Sequence, residues 1–402
     1  MGWRLPLRSL WRNRRRTALS LAVIALGTAV SIFVLGFLEN SRLQIQDSTV
    51  QQYGNLQVAS PLLWDDTAED YEYLISPSDA DHVTALLAAD ATYRGSTRQL
   101  QFSGLLGANA QTQAIAVTAI EPANGVLDFA GLAVDGRGLI PSDTASAFVG
   151  RSLAKRLSLA VGDVVTMTLA TVDGAYNASP FRIVGIYRYS NEQFESQVVF
   201  VPLAFGQRLL NTSGVDRLVV ALDAVASTEP ARSRLVAGLA NYGFPLEART
   251  WDELSPFYKQ LASYFDALFG FLTLAISVLV FFIILQVLTL AFLERTREIG
   301  TLRALGATQG GVFRQFFAES AWLAGLGSLV GAVAGSLLVV AFNSAGIQWT
   351  PPGTIDPFVL ASRVGPSAAL PVAVSVVATL LSALYPSTRA SRLRVVDALR
   401  VD

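Results

Sequence analysis

Four stretches of this 402-residue chain run for 22 residues or more without an Asp, Glu, Lys, Arg or His. They are Thr17 to Leu38, Ala267 to Leu293, Ser320 to Phe342 and Ser367 to Thr388. The hydrocarbon core of a bilayer is about 30 Å thick, and a helix of about 20 apolar residues crosses it. One such stretch alone could be a helix buried in a soluble core. Four of four without a charge argue for membrane spans. The first is longer than the roughly 7–15-residue apolar core of a cleaved signal peptide, and no small-x-small cleavage site follows it. It reads as a retained anchor.

Orientation follows from the arginines. Arg4, Arg8, Arg12, Arg14, Arg15 and Arg16 precede the first span, and Arg295, Arg297, Arg303 and Arg314 lie between the second and third. Arg389, Arg392, Arg394 and Arg400 follow the fourth. Four spans put these segments on one side, which the positive-inside rule makes the cytoplasm. Both termini are then cytoplasmic, in a multi-pass protein of the cell inner (plasma) membrane. Residues 1–16 suit an interfacial helix, with Trp3, Leu7, Leu10 and Trp11 on one side and arginines on the other. The remaining expected segments are spans 17–38, 267–293, 320–342 and 367–388, a cytoplasmic helix-bearing loop 294–319, an outer loop 343–366 and a cytoplasmic tail 389–402.

Residues 39–262 form one large extracytoplasmic insert between the first two spans. It carries 24 acidic and 15 basic residues, whereas the rest of the chain carries 7 and 15. The formal net charge of −1 therefore conceals two opposite halves. The insert reads as an α+β domain. Strands are expected at Leu56 to Ala59, Gln113 to Ile120, Val164 to Thr171, Phe181 to Tyr187, Gln197 to Val201 and Arg217 to Leu222. Helices are expected at Asp79 to Ala89, Ala147 to Leu157 and Glu229 to Tyr242, with Trp251 to Ser263 leading straight into the second span. The acidic cluster Asp65, Asp66, Glu69, Asp70 and Glu72 lacks the spacing of a calcium loop and reads as a solvated loop. His82 reads as a surface residue.

Several chemistries are excluded by residue type. The chain has no Cys and one His, which removes thiol nucleophiles, His-based triads and His-rich or thiolate metal sites. Its lysines are Lys155 and Lys259, and neither follows a Gly, so no G-x-x-x-x-G-K-[ST] phosphate loop exists. No catalytic residue, no metal and no nucleic-acid partner are expected. Uncharged spans disfavour a pathway for charged solutes, which would need ionisable residues within them. Asp266 and Glu319 fall just outside the spans as drawn. Gly327, Gly331 and Gly335, spaced by four, line one face of the third span. They suit close helix packing, either within the chain or against another subunit.

The segment after the second span, ERTREIGTLRALGAT (Glu294 to Thr308), reads as a short helix ended by Gly306, with a second helix beginning near Gly311. Ile299, Leu302 and Leu305 recur every three residues, and Glu294 and Glu298 can pair with Arg295, Arg297 or Arg303. The segment is either a surface for a partner protein or a juxtamembrane charge cluster.

This same segment closely resembles the one that follows the second span in FtsX-like/MacB-like ABC permeases. RNRRRTALSLAVIALG (Arg12 to Gly27) resembles the family's first span and its basic lead-in. FVGRSLAKRLSLAVGDVVTMTL (Phe148 to Leu169) and FRIVGIYR (Phe181 to Arg188) resemble its outer domain, and YPSTRASRLRVVDALR (Tyr385 to Arg400) its tail. The layout is most similar to lipoprotein-releasing Lol-type permeases.

The resemblance implies an integral membrane protein with four transmembrane α-helices and an extracytoplasmic, MacB-like α+β domain between helices 1 and 2. It implies coupling residues within Arg297, Glu298, Gly300, Arg303, Ala304, Gly306, Ala307 and Phe313, which would receive a cytoplasmic ABC ATPase. No cofactor is expected on this chain, with ATP and Mg on the partner ATPase. A start almost directly at a span favours a separate ATPase subunit. Further expected partners are a second permease copy or a related permease, membrane lipid, and a lipoprotein or hydrophobic cargo handled outside the bilayer by mechanotransmission. The alternative is a non-transporting mechanotransmitter that regulates an envelope enzyme or sensor.

Overall fold

The computed structural model describes residues 14–64, 71–109, 111–122, 126, 129–189, 192–242, 245–350 and 358–392. The expected interfacial helix up to Asn13, the acidic residues Asp65 to Asp70 and the tail beyond Arg392 lie outside them. The chain divides into two compact units. One comprises residues 1–44, 260–348 and 359–402, and the other residues 45–259 and 349–358.

Four helices, lying mainly in the first unit, are long and apolar enough to cross a membrane. Helix α1 is Arg14–Tyr53, α2 Pro256–Leu293, α4 Gln309–Ser344 and α5 Ala369–Ser391, with the short helix α3, Thr296–Ala304, between α2 and α4. Three helices, α1, α2 and α4, run well past the expected spans. Between Gly36 and Gly54 there is neither Gly nor Pro to stop α1, and Gly54, at φ +74°, ends it. Forty residues make a helix of about 60 Å, twice the hydrocarbon thickness. At α2, Trp251–Leu254 is a separate turn of helix, and the chain breaks at Ser255 before Pro256 starts the long one.

Small residues set the spacing of α1 and α4. A β-carbon on Gly331 would lie 2.6 Å from the Ala25 carbonyl oxygen, and one on Gly327 2.8 Å from Ile24 Cβ. On Gly335 it would lie 3.0 Å from Ala29 Cα. The glycine face therefore packs within the chain, against α1. Polar side chains join the helices at other points. Thr28 Oγ1 lies 2.7 Å from Ser375 Oγ of α5, and Ser382 Oγ lies 2.9 Å from the Phe281 carbonyl of α2. Asp266 pairs with Arg42 at 2.7 Å.

The second unit is built on ten strands: β1 Leu56–Ala59, β2 Tyr93–Ala108, β3 Gln111–Ile120, β4 Ala133–Gly136, β5 Ser146–Gly150, β6 Val164–Ala170, β7 Tyr176–Tyr187, β8 Val198–Pro202, β9 Arg217–Leu222 and β10 Glu247–Thr250. All ten belong to one sheet, and strand β2 pairs differently along its two halves. Its first half pairs with β9, which continues to β1 and β10. Its second half pairs with β3 and β6, and the order β2-β3-β8-β5-β7-β6 closes on β2 again. The β3–β8 and β5–β7 pairs are parallel; the others in the ring are antiparallel.

Alternation along β6 and β7 turns Val165, Met167, Leu169, Phe181 and Ile183 inward. They join one core with Leu100, Leu106, Leu153 and Leu209. Helices Pro77–Ala88 and Thr228–Tyr242 supply Val83, Leu87, Ala231 and Leu235 to the same core. Ser76 caps the first of these, accepting the Asp79 amide at 3.2 Å.

One expected helix is corrected. Ala147 to Gly150 is not helical but lies in β5, buried at every position, and only Arg151–Leu157 is helix. A strand buried on both faces shows no alternation, so its short apolar run read as the start of the helix that follows it. The change of direction depends on Gly150, where a β-carbon would come 1.8 Å from the Glu195 carbonyl oxygen. The buried Glu195 carboxylate accepts the Ser152 amide at 2.8 Å and the Tyr189 amide at 2.9 Å, fixing the helix start beside β7.

Candidate coupling site

Helix α3 is only nine residues long, so contacts at its ends must hold it. Glu298 in its first turn and Arg303 in its last complement the helix dipole. Its C-terminus closes with a Schellman pair: Ala307 N–H donates to the Leu302 carbonyl at 3.0 Å, and Gly306 N–H to that of Arg303 at 3.1 Å. Gly306 sits at φ +96°, the left-handed conformation this turn requires, with nothing within 4 Å of where a β-carbon would be. Thr308 then caps α4 by accepting the Gly311 amide at 3.2 Å. The second helix expected near Gly311 is thus the start of α4 itself, which continues unbroken to Ser344. Residues 294–319 comprise α3, a tight turn and the first three turns of α4.

The coupling residues expected from the sequence divide between two faces. Gly300 is buried, while Arg297, Glu298, Ala304 and Gly306 are exposed. Arg303 is half-buried and donates from Nη1 to the Ser391 carbonyl at 2.7 Å, tying the end of α3 to the end of α5. Ala307 packs on a small core of Phe292, Ile299, Val312 and Ala390. Phe313, half-buried, stacks on Phe317 with ring centroids 5.7 Å apart. Ile299, Leu302 and Leu305 do not form one buried stripe. Ile299 is in the core, but Leu302 is 39% and Leu305 85% exposed. A leucine this open beside an exposed glycine turn suits a surface that a protein partner covers.

Two residues that the sequence reading named but did not bring together complete the site. Arg295, between α2 and α3, donates from Nη1 to Glu319 Oε2 at 2.8 Å, and both are buried. The guanidinium also lies 5.9 Å over the Phe316 ring, with its Nε 3.7 Å from Glu298. Glu319 is therefore inside the helix packing. Its signal was isolation: no other acidic residue stands between Glu298 and Asp356. Helical spacing places Val312, Phe316, Glu319 and Leu323 along one side of α4, and Val312, Glu319 and Leu323 are all buried.

Comparison with known proteins follows the same division. Residues 17–237 match the MacB-like periplasmic core domain, and residues 269–395 match the FtsX-like permease C-terminal region. The second match contains the whole of α3 and its surroundings. The pyoverdine export ATP-binding/permease protein PvdT of Pseudomonas putida is 27% identical over 429 residues, covering 99% of this chain and 58% of that protein. The ABC transporter permease YvrN of Bacillus subtilis is 25% identical over 245 residues, 56% of each chain. The lipoprotein-releasing system transmembrane protein LolC of Neisseria meningitidis is 33% identical over 156 residues, 35% of this chain and 37% of LolC. The chain spans little more than half the length of the first two of these relatives. The periplasmic region of MacB from Actinobacillus actinomycetemcomitans superposes with a TM-score of 0.38 at 16% identity, covering 52% of this chain and 94% of that one. With both halves matched in order, and the first match alone covering more than half of its length, the chain belongs to the FtsX-like/MacB-like family of ABC transporter permeases.

Proposed function

We propose that this chain is the permease subunit of an ABC exporter or extractor, driven by a separate cytoplasmic ATPase that docks on α3. ATP and Mg would be held by that ATPase, and this chain would act mechanically. The reading rests on one observation above the others: a short helix, tied at both ends to membrane helices, that leaves Leu305 85% exposed. The arginines around α3 and at both termini support a cytoplasmic location for this surface, where ATP is available.

The work is passed to the inserted domain on the other side of the membrane. Cargo is hydrophobic or lipidated and is handled there, since no span offers a row of ionisable groups for a polar solute. The name of LolC, a lipoprotein-releasing system protein, agrees with a lipidated cargo, and that of PvdT with export. A second permease copy, identical or related, would complete the assembly. The exposed faces of α2 (Phe271, Leu274, Leu279 and Phe282) leave room for it or for lipid.

The test is copurification of a P-loop ATPase with the chain in detergent or nanodiscs. Leu305→Glu leaves every internal contact of α3 in place, and it should weaken ATPase binding by about 30-fold, the loss of one interface hot spot. Gly306→Val should weaken it as well, by forcing the turn out of its left-handed conformation. Normal ATPase binding in both variants would remove α3 as the docking helix.

A further inference from the structure

Among the described residues of the membrane unit, Arg295 and Glu319 are the buried ionisable side chains. Glu319 lies about 15 Å along α4 from its first residue, at a 1.5 Å rise per residue. Its Oε2 accepts from Arg295, while its buried Oε1 has no hydrogen-bond partner among the described residues. A pair in this position is a poor device for stability alone, because two apolar side chains of similar volume hold helices together as well or better. A charge pair does supply direction. It fixes one orientation and one register of the α2–α3 junction against α4, and it tolerates no slippage without exposing a bare charge.

The rest of α3's anchorage makes the position of this pair significant. At its far end α3 is tied by Arg303 to a backbone carbonyl of α5, and its glycine turn brings Ala307 onto the small core beside it. Helix α4 in turn is seated on α1 along Gly327, Gly331 and Gly335, where the contacts are too close for sliding. Helix α1 runs unbroken to Tyr53, three residues before β1 begins at Leu56.

We infer that Arg295 and Glu319 are the positioning pair through which displacement of α3 is imposed on α4, and thence on α1. The inference rests on the reading of α3 as the ATPase-docking helix. Neither residue touches the ATPase itself. Their role is to keep α3 and α4 moving as one body.

The experiment uses the full chain in nanodiscs with its copurified ATPase, and three variants: Glu319→Gln, the apolar replacement Arg295→Met with Glu319→Met, and the reversal Arg295→Glu with Glu319→Arg. Two quantities are read in each, the amount of ATPase bound and the stimulation of ATP turnover over the free ATPase. Amide exchange of α3 is read on the permease alone. Glu319→Gln should keep ATPase binding within about twofold and reduce stimulation by about tenfold, within the usual span of coupling between sites. The apolar pair, which should fold at least as well, should show the same split, and the reversal should recover most of the stimulation. In Glu319→Gln the α3 amides should exchange about tenfold faster, while those of the β-strands do not change.

Full stimulation in the apolar variant would overturn the inference, because packing would then suffice. So would unchanged α3 exchange in Glu319→Gln, which needs no ATPase to observe. Failure of the wild-type chain to bind any ATPase would instead overturn the proposed function, with the exchange result still deciding whether the pair holds α3.

Discussion

The two units of this chain use the same apolar residues against opposite surroundings. In the inserted domain Phe148, Phe181, Leu153 and Met167 are buried, and a net negative surface faces water. In the membrane unit Leu26, Phe271, Leu329 and Leu337 stand more than half exposed, while Thr28, Ser328, Ser375, Thr379 and Ser382 are buried. Lipid tails are as apolar as leucine, so burying a leucine between spans gains little; close backbone contact and hydrogen bonds hold the helices instead. Burial therefore reports stability in one unit and polarity in the other.

The widest separation should come from equal truncations in the two units. Phe181→Ala removes a ring packed against Phe205 at 6.1 Å between centroids, and should cost the inserted domain about 3–5 kcal/mol. Leu329→Ala, on the exposed side of α4, should stay within about 0.5 kcal/mol in lipid. Denaturant titration of the reconstituted chain reads both, with protease resistance following the domain and circular dichroism the helices. A large loss at Leu329 would mean that protein, rather than lipid, covers that side of α4.

Glycines in α4 offer a narrower contrast. Gly331→Leu must push a side chain into the Ala25 carbonyl, and should destabilise the α1–α4 packing by about 1–3 kcal/mol. Gly325→Leu, with nothing within 4 Å, has no such neighbour and should be tolerated. Equal tolerance of the two, measured by cross-linking between α1 and α4, would show that the helices are not held at glycine spacing.

How far the sequence revealed each unit follows from the same physics. The spans were legible because an uncharged run of 22 residues has few other homes, yet their ends were not. Glu39, Arg42 and Asp47 looked like departure from a helix, but charge ends a span without ending the helix; only Gly54 did that. In the inserted domain, alternating strands such as β6 declared themselves, whereas the doubly buried β5 merged with its neighbouring helix. Helix α3 and its glycine turn were legible in the three-residue spacing and in Gly306. The Arg295–Glu319 pair was not, because its partners are 24 positions apart and meet only once α4 has folded back beside α2.

The smallest effect concerns hydrogen bonds, and here the comparison predicts a reversal of intuition. Thr28 Oγ1 lies 2.7 Å from Ser375 Oγ and 2.9 Å from the Ile24 carbonyl of its own helix. One hydroxyl proton serves one acceptor at a time, so losing Ser375 leaves Thr28 a ready substitute. A double-mutant cycle of Thr28→Val and Ser375→Ala should give a coupling near 0.6 kcal/mol, although both residues are buried where no water competes. In the inserted domain, the Tyr187 hydroxyl donates to the Val198 carbonyl at 2.8 Å from a fully buried ring. Tyr187→Phe deprives that carbonyl of its donor with no helical backbone to replace it, and should cost about 1–1.5 kcal/mol. If the Thr28–Ser375 coupling proved the larger, fallback onto the helix backbone would not be what keeps intramembrane hydrogen bonds weak. The membrane unit would then be held chiefly by its polar contacts rather than by its glycines.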